Sequence, residues 1–129
     1  MRTITIEGGA IDGIASFYAE INRVLMAGED WTIGQSLDAL NDLLHGGFGA
    51  IASNEPVRLV WRDFEKSRAA LGMEATKAWH RAKLERPTLY NAETARQALA
   101  ALERGEGRTY FDIVLEIIAE HDTIELVPA

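Results

Sequence analysis

Three short strand-forming runs, far apart in the chain and separated by segments of helical periodicity, restrict the possible folds more than any other feature. Residues 2 to 6 alternate polar and apolar side chains. Val57-Arg58-Leu59-Val60-Trp61 is β-branched and aromatic, and Thr123-Ile124-Glu125-Leu126-Val127 repeats that character near the end. Strands separated by helices pair in parallel through right-handed crossovers. The expected fold is therefore α/β, a small three-stranded parallel sheet with packed helices.

Between the strands, Ile11, Ile14, Phe17, Ile21 and Val24 recur at helical spacing and predict a helix to about Met26, with Asp12 in its favourable first turn. A loop around Gly28 follows. Ser36 caps a second helix whose leucines 37, 40, 43 and 44 form an inward stripe, and Gly46-Gly47 ends it. Gly46-Gly47-Phe48-Gly49 follows a helix instead of opening one, so it reads as a flexible connector and not as a phosphate cradle. A third helix is expected over Arg62 to Leu71, and an amphipathic one carries Phe111, Val114, Leu115 and Ile118. Between Gly72 and Gly107, helical signals around Trp79 and Leu84, a break at Pro87 and a cap at Asn91 predict a helical insertion at about 73–106. The whole chain, 1–129, is expected to form one domain.

The chain has 129 residues, no cysteine and a formal net charge of −7. Without cysteine there are no disulfides and no thiolate nucleophile, a profile suited to the cytoplasm. Met1 to Ile6 lacks the basic segment and apolar run of a signal peptide, and no stretch is long and apolar enough to span a membrane. A surface this acidic repels nucleic acid unless basic residues are segregated, and Arg81, Lys83 and Arg86 are interleaved with Glu85. The expected partner is a basic protein. No Gly-x-Ser-x-Gly elbow and no phosphate loop occurs, so an enzyme reading has no anchor.

Asp38, Asn41 and Asp42 stand at i, i+3 and i+4 on the face of the second helix opposite its leucines. Like charges a turn apart repel by about 0.2–0.5 kcal/mol, so the pattern does not serve stability. A plain solvated helix face would look the same, but Trp31, Thr32 and Ile33 immediately before it resemble a binding rim. Trp31 could equally be core. Asp38, Asp42 and His45, with His80 or His121, share spacing that could hold a metal, yet nothing orients the imidazoles, and neither metal nor cofactor is expected. Trp61, Phe64, Trp79 and Tyr110 read as core.

The stretch from Ile33 to Leu44, IGQSLDALNDLL, resembles the inhibitory loop and helix of the barstar family, intracellular inhibitors of the ribonuclease barnase. The stretch from Val57 to Ser67, VRLVWRDFEKS, is similar to that family's central strand and following helix. Together with the order of elements, the resemblance covers roughly residues 1 to 71 and 108 to 129. It implies a barstar-like fold whose acidic helix and preceding loop enter a ribonuclease cleft and occupy the places of RNA phosphates, as in bacterial toxin immunity. Asp42 then matches the deepest-inserting acid and Asp38 the acid one turn earlier. Gly34 matches a loop glycine, Ser36 replaces a loop asparagine, and Gly46 falls at the glycine beyond the helix. Thr32, or Trp31 after a one-residue shift, falls near a loop tyrosine, and Glu116 matches a peripheral acid. Asn41 stands where the family has an interface tryptophan, so barnase itself is not implied as the target. The alternative is a regulatory or scaffolding protein using the same fold on a non-nuclease partner.

Overall fold

The computed structural model describes residues 1–86 and 91–129; the break expected at Pro87 lies outside them. Strand β1 (Arg2–Glu7) leads through a 3-10 turn (Gly8–Ala10) to helices α1 (Ile14–Leu25) and α2 (Leu37–His45). Strand β2 (Val57–Arg62) follows, then α3 (Phe64–Ala70), α4 (Met73–Leu84), α5 (Ala92–Glu103), α6 (Tyr110–Ala119) and β3 (Ile124–Pro128). All pairing is parallel in the order β1-β2-β3, with Ile4 opposite Leu59 and Leu59 opposite Leu126. The α/β arrangement is the expected one.

Parallel sheets are usually buried on both faces, but this one is not. Val57, Leu59 and Trp61 point into the core, while Arg58 and Arg62 point to solvent. On that open face, Arg58 pairs with Glu125 (3.0 Å) and Arg62 with Glu7 (3.4 Å), tying β2 to both neighbours. The inner face centres on Trp61, fully buried, stacked on Phe17 and met edge-on by Phe64 and Phe111. Its indole N–H donates to Ser67 Oγ at 2.9 Å, so the one polar atom of the ring is satisfied. Phe64 and Tyr110 are core as expected, and Trp79 is partly buried against it.

Two element starts differ from the sequence reading. Asp12 precedes α1: Ser16 Oγ accepts the N–H groups of Asp12 and Gly13 and donates to the Asp12 carboxylate, so the helix begins at Ile14. Ile11 continues the apolar rhythm because it is buried after the 3-10 turn, not because it is helical. Likewise Arg62 ends β2, and Asp63 adopts a left-handed conformation (φ 50°) before α3.

Helices α4 and α5 pack on each other, and α5 is capped by Asn91, whose side chain accepts the Thr94 N–H. The base of this pair is joined to α6. Thr76 Oγ1 donates to the Gly72 carbonyl and accepts the Tyr110 N–H (2.7 Å each), and the Phe111 N–H reaches the Leu71 carbonyl. The buried Tyr110 hydroxyl meets that of Tyr18 on α1 at 2.5 Å, and burial pushes the Tyr18 hydroxyl far above its ordinary value.

Candidate functional site

Helix α2 is fixed at both ends by the residues that predicted it. Ser36 is extended and its Oγ accepts the Ala39 N–H at 3.3 Å; Leu40, Leu43 and Leu44 are buried. Gly46, itself buried, closes the helix in the left-handed region at φ 94°, and a Cβ there would lie 2.7 Å from the Ala52 carbonyl. The turn beyond is not a flexible connector. Gly49 (φ 78°) packs against Leu43 and the Leu25 carbonyl and donates its N–H to Glu29, while the Ala50 N–H bonds to the Leu25 carbonyl.

On the outward face, Asp38 and Asp42 are both exposed, and neither forms an ion pair among the described residues. Asn41 between them is half-buried, and its Oδ1 lies 2.8 Å from Nε2 of His121, just beyond α6. His45 stands beside that imidazole, with ring centroids 6.0 Å apart. His80, the third histidine, is buried on α4 against Trp79, and burial, aided by the charge of Lys83, holds its imidazole below the ordinary value. Among the described residues no group of three or more His, Asp or Glu converges as metal ligands do.

The loop before α2 carries the other expected contacts. Trp31 is not core: it is 46% exposed, leaning on Phe48 with ring centroids 5.0 Å apart. Thr32, Gly34 and Ser36 are exposed as well. Gly34 has open space around its Cα, so its backbone is accessible to an approaching group. These residues, with Asp38 and Asp42, lie on one stretch of loop and helix. Glu116 is separate: it is exposed on α6 with its carboxylate engaged by Arg108.

Asn22 was not expected from the sequence. From α1 its side-chain amide donates to the Ile33 carbonyl (3.1 Å) and accepts the Ile33 N–H (2.8 Å), pinning the loop by both backbone groups of one buried residue. The only signal in the sequence is a polar amide one position after Ile21 of the inward stripe. Phe48 was also missed, because its partner lies across a loop.

Chemically, this is an anionic edge. Two exposed carboxylates a helical turn apart, neither in an ion pair among the described residues, can accept charge-assisted, forked hydrogen bonds from guanidinium or ammonium groups. The exposed Trp31, backed by the half-buried Phe48, offers apolar contact beside them.

A family model described as Barstar (barnase inhibitor) matches residues 1–121 of the chain. Comparison with curated proteins finds no match.

Proposed function

The chain belongs to the barstar (barnase inhibitor) family, and from that premise we propose that it inhibits a ribonuclease by occluding the enzyme's cationic active site with α2 and the loop before it. Members of this family are inhibitors rather than enzymes. A ribonuclease concentrates positive charge where phosphate binds, so it attracts a preformed anionic helix. The observation that carries the reading is the exposed Asp38 and Asp42 pair, free of ion pairs among the described residues, on a helix capped at both ends. Asp42 and Asp38 accept the enzyme's cations, Thr32, Gly34, Ser36 and Gly46 shape the surrounding backbone, and Trp31 supplies apolar area. Asn41 and Glu116 lie at the margin. In this reading the protein works in the cytoplasm beside a self-toxic nuclease, binds no nucleic acid directly and needs no cofactor. Residues 73–106 are an insertion in its single domain.

The test is RNA cleavage by a panel of small basic ribonucleases in the presence of the protein and of Asp42→Ala. Inhibition at equimolar protein is expected. Loss of one charged hydrogen-bond acceptor should weaken it by about 10- to 150-fold. If no ribonuclease is bound, or if Asp42→Ala inhibits as well as the parent, the proposal fails.

A second reading has one observation in its favour. Asn41, where the family has a tryptophan, is engaged by His121, which leaves α2 a smaller apolar surface; a regulatory role on a non-nuclease partner would suit that face.

A further inference from the structure

Among the described residues, ten of the thirteen Lys and Arg side chains form ion pairs. Lys66 instead donates to the Gly9 and Ile11 carbonyls. That leaves Lys83 and Arg86, which have no carboxylate partner among the described residues, although the chain carries twenty Asp and Glu against those thirteen cations. Both line the same groove. It measures about 570 Å³ and lies between the C-terminal end of α4 and the first turn of α2, where Asp38 forms part of its wall. Trp79 and Tyr110 also line it, edge to face at 4.9 Å. The Lys83 ammonium rests 3.5 Å from the centre of the Trp79 ring. Burial holds it below its ordinary value, and a partly desolvated cation without an anion carries a cost that an incoming carboxylate would relieve.

We propose that this groove is a second contact for the partner bound by α2, accepting an acidic side chain of that protein between Lys83 and Arg86. The inference rests on reading α2 as the partner surface, with which the groove is continuous through Asp38. Charge alternation selects the occupant. Asp38 and Glu85 line the same groove and would repel a free anion, whereas a folded partner can set its cations against them and its carboxylate against Lys83 and Arg86. The site therefore distinguishes among basic proteins that would all be drawn to α2.

The experiment follows the Trp79 indole and Arg86 side-chain N–H resonances of the full chain during titration with a blocked Lys-Gly-Glu tripeptide, which offers a cation to Asp38 and Glu85 and a carboxylate to Lys83 and Arg86. The matched Lys-Gly-Gln tripeptide serves as control. Saturable shifts with the Glu peptide alone, lost in Lys83→Met/Arg86→Met, are expected; the methionine at 83 keeps an apolar stem over Trp79. In parallel, Lys83→Glu/Arg86→Glu should weaken inhibition of a susceptible ribonuclease by roughly tenfold, the worth of two partly exposed ion pairs. Peptide shifts in a protein that inhibits no ribonuclease would leave the groove standing and sink the proposed function. Inhibition unchanged by charge reversal, with no Glu-specific shift, would overturn the groove and leave that function intact.

Discussion

Gly46→Ala should cost far more than the same change at Gly34 or Gly47, although all three flank the helix that displays the acids. At Gly46 the backbone is left-handed (φ 94°), a conformation costing a non-glycine residue about 1–2 kcal/mol. The new methyl would stand 2.7 Å from the carbonyl carbon and oxygen of Ala52 and 2.8 Å from the Ser53 nitrogen. That backbone cannot give freely, because the Ala52 N–H is held by the Glu55 carboxylate and the Glu55 N–H by the Ala52 carbonyl. Forcing extra volume into such a site costs about 1–3 kcal/mol, offset by about 0.4–1 kcal/mol from the less flexible unfolded chain. The net loss is about 1–4.5 kcal/mol, a fall in Tm of roughly 4–18 °C. At Gly34 and Gly47 a Cβ meets nothing within 4 Å and φ is not left-handed, so alanine should move Tm little. Differential scanning calorimetry on the three variants decides the matter. A Gly46→Ala protein melting within a degree or two of the parent would refute the reasoning. If Gly34→Ala keeps its Tm yet loses inhibition, that glycine serves access by the partner and not the fold.

Asn22→Ala strands the Ile33 N–H, and an unsatisfied buried donor costs about 1–3 kcal/mol; hydrogen exchange should show residues 30–36 opening while the sheet stays protected. Arg23→Ala should destabilise more than Arg58→Ala, since it leaves the buried Glu20 carboxylate with only the Glu7 N–H, whereas Arg58 belongs to an exposed pair within about 1 kcal/mol of neutral. The Arg23 hydrogen bonds hold Glu20 below the ordinary glutamate value of 4.5 against the opposing effect of burial. Its contribution is thus complete above that value and is lost as pH falls through the lowered one. In Arg23→Ala burial outweighs the remaining Glu7 hydrogen bond, so Glu20 costs stability at neutral pH and that cost is relieved as the carboxylate takes up a proton. The deficit of the variant against the parent should therefore shrink as pH falls, as urea titrations across the acid range would show.

The sheet and α2 were legible because local rules and tertiary packing agree there. The leucine stripe, the Ser36 cap and the Gly46 stop all describe one helix, and the alternation in β2 turned out to mark an open face. The start of α1 was misread where apolar spacing continued through Ile11, since periodicity cannot distinguish a buried loop residue from a helical one. The acids of α2 were visible as a pattern because they are neighbours in sequence. Asn22 on Ile33, Phe48 under Trp31, His121 against Asn41 and the cations facing α2 are long-range meetings that only the folded chain creates.

Both crossovers join adjacent strands, and parallel pairing dictates only where each departs and returns. In the second, Thr76 with Tyr110 and Leu71 with Phe111 tie the start of α4 to the start of α6, so hydrogen bonds close this crossover at its base. On the proposed reading, replacing residues beyond Trp79 should change the face presented beside the acid-bearing helix, and with it the choice of partner, while the strands keep their register.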